Sequence, residues 1–498
     1  MELINNLIYG FSICLQPANL LYCFLGVVGG TLVGVLPGIG TPGALALLIP
    51  VTLQIPPESA MIMLCGIVYG SMYGGSTTSI LVNIPGEAAS VVTCIDGYMM
   101  ARQGRAGAAL GISAMGSFIA GTIAIFGMIF FAPRLANLAL KFGAPEYCSL
   151  MTFAFVVLIA ISSSSLLKGS MMIVMGIAIG TIGIDPVGGV SRFTFRLPAL
   201  MDGVGLVQAV IGLYGISEIL ISLETYVERD IFKTKIKGLL PTLQDWKDSI
   251  WPILRATPIG FFCGIIPGVG VVIPTFLSYG LEQKIAKDPT KFGKGFIAGV
   301  AGPEAANNSA VGGGLIPMLS LGIPCGASTA IILGALLIYG VQPGPLLIKE
   351  QPQVFWGLVT SFYLGNIMLL VLNLPLIGIW VKVLKVPYKF LSLFIILFCI
   401  IGSYSINYSQ YDIIIMTVFG MVGYLLRKLD FDLTPMVFGI LLGSMFETAL
   451  RRSLFISMGR YDIFFTRPIS LFFLVVAGIS LFFAFFYKKR PKVSIKES

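Results

Sequence analysis

Two carboxylates, Glu87 and Glu304, stand in otherwise uncharged stretches of the chain, each just after a glycine or proline. A carboxylate within a membrane segment is a candidate functional group by default. Its bland alternative is a helix N-terminus, where the dipole favours negative charge. Glu304 and Asn308 share a helix face at i, i+4. Around these residues lie hydroxyls and amides: Ser76, Thr77, Thr78 and Ser79 in "YGGSTTS", then Asn83, and later Asn307, Asn308 and Ser309. Such side chains offer donors to a carboxylate and oxygens to a hard cation. They have structural uses too, since serine and threonine bond back to their own helix and asparagine joins helix to helix. Two further stretches, "PGIGTPG" from Pro37 and "PGVG" from Pro267, interrupt apolar sequence. A break of this kind exposes carbonyls suited to sodium and helix N-termini suited to anions. Thr41 is expected as an N-cap with Pro42 at N1. The expected anion contacts are therefore Ser76, Thr77, Thr78, Asn83, Asn307, Asn308 and Ser309. The expected cation or coupling groups are Gly38, Gly40, Thr41, Gly268, Gly270, Glu304 and Glu87, with no metal beyond a possible sodium ion.

Other chemistries are disfavoured. The 498 residues include no histidine, which removes Ser-His-Asp and Cys-His catalysis and most zinc sites. The eight cysteines are scattered without CxxC spacing and read as small packing residues. No GxxxxGK[ST] sequence is present, so nucleotide hydrolysis is not expected. The chain reads as a non-enzyme with no cofactor, apart from a coupling sodium ion or proton.

The elements that must position these residues are membrane helices. Hydrophobic residues make up 56% of the chain and charged residues only 11%, against about 25% in soluble proteins. Ala106 to Pro133, Leu358 to Trp380 and Ile469 to Tyr487 can each cross a bilayer, which takes roughly 20 apolar residues. The net charge of +9 fits basic loops on the cytoplasmic side better than nucleic-acid binding. The tail "KKRPK" places the C-terminus in the cytoplasm, and no cleaved signal peptide is expected.

An internal repeat organises the breaks. Gly34-Val35-Leu36-Pro37-Gly38-Ile39-Gly40 returns as Gly264-Ile265-Ile266-Pro267-Gly268-Val269-Gly270, an offset of 230 residues. Gly74-Gly75 with Asn83-Ile84-Pro85 returns as Gly313-Gly314 with Gly322-Ile323-Pro324, an offset of 239. The loop at Leu53–Ala60 has no lysine or arginine, whereas the one after PGVG holds Lys284, Lys287, Lys291 and Lys294. Arg102 and Arg105 follow the second break of the first half, and only Lys349 follows its equivalent in the second. This swap is the mark of inverted-topology repeats, although Arg134, Lys141, Arg192 and Arg196 resist the scheme. The expected fold is an all-α polytopic membrane protein with paired broken helices or re-entrant hairpins and about 11–12 transmembrane segments. Residues 1–222 form the first repeat, 223–249 a cytoplasmic linker, 250–487 the second repeat with the C-terminal helices, and 488–498 a basic tail. Broken segments are expected near 19–53, 60–98, 250–281 and 295–340. Ordinary spans are expected near 106–132, 147–164, 169–186, 204–222, 354–380, 388–404, 411–427, 433–449 and 468–487.

The stretches "GVLPGIGTPGALALLIP", "YGGSTTSILVNIPGEAASVVTCIDGYMMARQGRAGAALG", "GIIPGVGVVIPTFLSYGLEQKI", "FGKGFIAGVAGPEAANNSAVGGGLIPMLSLGIPCGASTA" and "GALLIYGVQPGPLL" resemble the large membrane subunit of the tripartite tricarboxylate transporter family. Two positions depart from the family's usual pattern: Ser309 stands where alanine is commoner, and Tyr339 where histidine is common, which weakens any proton relay there. The resemblance implies a secondary transporter subunit of a bacterial inner membrane. It implies a periplasmic solute-binding protein and a small membrane subunit as partners. It also implies a tricarboxylate such as citrate, or another carboxylate, imported on a sodium or proton gradient. An elevator-like motion is a fold-level analogy. The rival reading is a gradient-independent anion channel.

Overall fold

The computed structural model describes residues 2–36, 40–161, 165–224, 238–384 and 388–487. The chain is helical nearly throughout, as expected of backbone that must satisfy its own hydrogen bonds in lipid. In chain order it forms α1 (Glu2–Cys14), α2 (Pro17–Val35), α3 (Gly40–Thr52), α4 (Pro57–Val82), α5 (Val91–Arg102), α6 (Ala106–Ala139), α7 (Ala144–Ile161) and α8 (Leu166–Gly180). The antiparallel pair β1 (Gly183–Ile184) and β2 (Ser191–Arg192) follows. Next come α9 (Leu206–Val210), continued through a π-turn by α10 (Ser217–Glu224), then α11 (Leu243–Ile265), α12 (Val272–Ile285), α13 (Ala298–Leu321), α14 (Ala327–Ile338) and α15 (Leu347–Glu350). The last are α16 (Pro352–Asn373), α17 (Ile377–Val383), α18 (Tyr388–Asn407), α19 (Gln410–Lys428), α20 (Thr434–Ile456), α21 (Ile463–Thr466) and α22 (Pro468–Tyr487). Among the described residues, six helical spans are long and apolar enough to cross a membrane, and several shorter apolar helices accompany them.

The chain divides into two compact units, Met1–Lys141 with Val204–Leu426, and Phe142–Gly203 with Arg427–Ser498. In the second, Gly439 and Gly176 bring α20 and α8 together backbone to backbone. Ser149 and Ser470 share a hydroxyl hydrogen bond of 2.6 Å, and Arg192 and Arg451 pair with Asp185 and Glu447. The first unit carries the chemistry.

Its centre consists of α4 and α13. Every residue of α13 is buried, as is α4 from Ser59 to Leu81. Protein rather than lipid surrounds both helices, which is why they tolerate so many polar residues and glycines. "YGGSTTS" and "GPEAANNSAVGGG" therefore lie inside continuous helices, not in unwound chain. The interruption comes afterwards. Asn83 ends α4 with φ 59° and Gly322 ends α13 with φ 71°, each followed by Ile-Pro. The Glu87 N–H then donates to the Ser90 hydroxyl at 3.4 Å, and the Gly326 N–H to the Thr329 hydroxyl at 2.9 Å.

Glycine holds the helix pairs. A Cβ on Gly34 or Gly30 would strike the backbone of Ser71 or Ile67, so α2 lies directly on α4. A Cβ on Gly264 or Gly260 would strike the backbone of Ala310 or Ala306, so α11 lies on α13 in the same way. Gly74 abuts Thr31 and Val35, and Gly313 abuts Phe261 and Ile265. These are the same contacts at offsets of 230 and 239 residues. The next helices cross over, with α6 against α13 and α16 against α4.

Several expectations needed correction. The N-terminal helix α1 was not anticipated, and it packs on α16. The span expected at 354–380 breaks after Asn373, because Leu374 precedes Pro375 and is steered from helical geometry. The span expected at 169–186 ends at Gly180, and Gly183 at φ 119° leads into β1. The glycine contacts predict that Gly74→Ala and Gly313→Ala each destabilise by about 1–3 kcal/mol through overpacking. Gly478, with nothing near its added methyl, should tolerate alanine or gain slightly. Thermal melting of detergent-purified protein checks the contrast.

Candidate functional site

The focus of the first unit is Glu304, on the buried helix α13. Its Oε2 accepts from the Ser76 hydroxyl of α4 at 2.6 Å and from the Ser113 hydroxyl of α6 at 3.0 Å. Its Oε1 accepts from the Thr93 hydroxyl of α5. Four helices thus converge on one carboxylate. One turn further along α13, the Asn308 amide donates to Ser117 of α6 at 2.7 Å and to the Glu304 carbonyl at 3.2 Å. The neighbouring Asn307 amide donates to Glu87 Oε1 at 2.9 Å. Glu87 also caps its own turn by accepting from the Ala89 N–H at 3.1 Å.

No lysine or arginine pairs with Glu304 or Glu87 among the described residues. Hydroxyls can hold a buried carboxylate, but an unpaired buried charge still costs several kcal/mol. The cluster is thus suited to a proton or a small cation beside the carboxylates. The Asn307 and Asn308 Oδ1 atoms and the Tyr69 and Tyr73 hydroxyls are buried without hydrogen-bond partners. Oxygens of this kind are what a hard monovalent cation or a water would engage.

The structure brings together Ser76, Glu304, Asn307, Asn308 and Glu87. Other expected residues sit apart. Thr77 donates back to the Tyr73 carbonyl at 3.3 Å. Thr78 donates to the Val35 carbonyl at 2.9 Å and so fastens the end of α2 to α4. Asn83 is the exposed terminus of α4. Ser309 donates to the Thr257 carbonyl at 2.6 Å, joining α13 to α11 where Gly70 abuts Val27 in the other copy. The Gly268 and Gly270 N–H groups both donate to the Cys325 carbonyl at 3.1 Å, so the PGVG tip is fastened to the second break of its own half. Gly40, at φ 65°, begins α3, and Gly38 lies outside the described residues. Thr41 is not the N-cap expected, because α3 already starts at Gly40; its hydroxyl pairs with Ser71 at 2.7 Å. Tyr339 donates to the carbonyl and hydroxyl of Thr52.

Sequence reasoning missed Thr93, Ser113 and Ser117. The available signal was the i, i+4 spacing of Ser113 and Ser117 within the glycine- and alanine-rich start of α6.

The chain matches the tripartite tricarboxylate transporter TctA family over residues 20–438. It is also 44% identical, over the full length of both chains, to an uncharacterized 52.8 kDa protein in the TAR-I ttuC' 3'region of Agrobacterium vitis. The chain belongs to the tripartite tricarboxylate transporter TctA family. An uncharacterized protein of the archaeon Methanocaldococcus jannaschii is 25% identical over 84% of this chain and 96% of its own. No solved structure matches. Family membership makes this TctA-family chain a transporter subunit in a membrane.

Replacing Glu304 tests the hydroxyl shell directly. Glu304→Leu leaves the Thr93 and Ser113 hydroxyls without the carboxylate, at about 1–3 kcal/mol for each donor left unsatisfied, while Ser76 keeps the Met72 carbonyl at 2.9 Å. Glu304→Gln keeps an acceptor. The leucine variant should melt well below wild type and the glutamine variant close to it. Equal melting of both would mean that the shell does not depend on this side chain.

Proposed function

We propose that this subunit imports tricarboxylates or related carboxylates as a secondary active transporter, driven by a sodium or proton gradient. The observation that carries this reading is the buried Glu304 with its hydroxyl shell and no basic partner among the described residues. An anionic solute cannot approach two buried carboxylates unless their charge is offset. A sodium ion or proton taken up beside Glu304 and Glu87 supplies that offset, so cation and solute load together. Ser76 and Asn308 are the leading solute contacts, with Asn307 bridging to Glu87. A periplasmic solute-binding protein delivers the solute, and a small membrane subunit accompanies this chain in the bacterial inner membrane.

The two helix-pair repeats support alternating access. Their breaks follow α2, α4, α11 and α13, and paired interruptions in corresponding places are the usual marks of a transporter's binding site. With equivalent loops on opposite sides, as the lysine and arginine pattern implies, one repeat faces each way and the C-terminus is cytoplasmic.

Uptake of a labelled carboxylate panel into vesicles, with the partner binding protein and imposed sodium or proton gradients, tests the proposal. Saturable accumulation under one of the two gradients is expected. Flux that neither saturates nor needs a gradient would establish an anion channel instead. Ser76→Ala and Asn308→Ala should raise the apparent KM or abolish uptake. Glu304→Gln should lower gradient-driven accumulation at least tenfold, by about 1.4 kcal/mol per factor of ten. Wild-type kinetics in all three folded variants would remove the cluster from the transport site.

A further inference from the structure

A second carboxylate site lies away from the Glu304 cluster, and it is built of donors. Asp96, on α5, is completely buried. Its Oδ1 accepts from the Gly295 and Phe296 N–H groups, each at 2.8 Å. Its Oδ2 accepts from the Gly293 N–H at 3.1 Å and the Tyr279 hydroxyl at 2.9 Å. All four donors come from α12 and the segment that leads into α13. Gly293 at φ 78° and Gly295 at φ 90° turn the Gly293, Gly295 and Phe296 N–H groups toward one point, while the Lys294 N–H donates to the Lys291 carbonyl at 3.2 Å. A methyl on Gly295 would meet Gln103 and the Met100 N–H, so the turn is also closely backed by α5.

The adjacent Gly295 and Phe296 N–H groups, joined by that of Gly293, form an anion-binding concavity that carries no requirement for one particular carboxylate. Beside it is an open cavity of about 330 Å³ lined by Thr290, Lys291, Lys294, Gly295 and Phe296. Lys291 and Lys294 are exposed and not ion-paired among the described residues. A carboxylate cradle thus adjoins a positively charged vestibule, in contrast to the acidic Glu304 cluster. The cradle also accounts for two stretches that the central site leaves unused, "CIDGY" around Asp96 and "KFGKGF" ending at Phe296.

We propose that the Gly293–Phe296 cradle, with Tyr279, is a carboxylate-binding site of the solute path. Asp96 fills it in the present conformation, and a carboxylate of the solute fills it when α5 withdraws. Asp96 is therefore a tethered competitor, and its exchange with solute couples the opening of α5 from the cradle to solute release. The physiological ligand rests on the transport reading above; occupancy by a free carboxylate does not.

The test uses the full chain in detergent, with acetate as probe and chloride at equal concentration as control. Asp96→Ala should melt below wild type and recover at least half of the loss in acetate but not in chloride. Wild type should respond alike to both salts, and Asp96→Ala with Gly295→Ala should lose the recovery. Equal effects of the two salts on Asp96→Ala would show a structural staple only and overturn the proposal. If Asp96→Ala is monodisperse only when purified in acetate, that supports the site. If it fails in both salts, solute exchange decides. Lys291→Ala with Lys294→Ala should raise the half-saturation at least threefold on the side that bears these lysines and leave the opposite side unchanged. No change on either side overturns the solute's use of the cradle. Loss of exchange in wild type would count against the transport reading, while the acetate result would stand.

Discussion

Glycine-mediated contact between helix backbones fixes everything else in the first unit. Lipid tails are as apolar as leucine, so no hydrophobic drive presses one membrane helix on another. Close van der Waals contact has to supply the attraction. Gly30, Gly34, Gly70 and Gly74 provide it between α2 and α4, and Gly260, Gly264 and Gly313 between α11 and α13. The same contacts set the register. Ser76 lies two residues beyond Gly74, and a one-residue slide of α4 moves it by about 1.5 Å along the axis. That slide would break its 2.6 Å hydrogen bond to Glu304.

The central carboxylate depends on a second constraint. Hydroxyls serve as either donor or acceptor by rotating one proton. Three of them around Glu304 therefore suit a group whose neighbours change in charge. Lysine or arginine would hold the carboxylate ionised and pair with it permanently. The Asn308 bridge from Ser117 to the Glu304 carbonyl ties the shell to the helix itself, so that α6 and α13 share the same network.

The recurring glycine contacts were legible in sequence because their offsets fall around glycine and proline, whose backbone roles are hard to replace. The grouping of Ser76, Glu304, Asn307, Asn308 and Glu87 was legible because polar residues in apolar sequence are conspicuous. Thr93, Ser113 and Ser117 were not, since single hydroxyls in a span usually satisfy their own helix. The glycines of "YGGSTTS" looked like part of a break. Glycine that loosens a solitary helix and glycine that admits a neighbour read the same until the neighbour is known. Ser309 shows the converse, because its place among site-like amides concealed a contact with Thr257 that joins two helices.

The repeated scaffold holds an unrepeated chemistry. At the offset of 239 residues, Glu304 corresponds to Cys65, Asn307 to Val68, Asn308 to Tyr69, Ser76 to Leu315 and Glu87 to Gly326. The glycine contacts occur twice and each carboxylate once. The polar cluster is therefore a property of the whole chain and is not doubled by its repeats. Each half supplies one of the two carboxylates, Glu87 from the first and Glu304 from the second, so neither half alone holds the whole cluster.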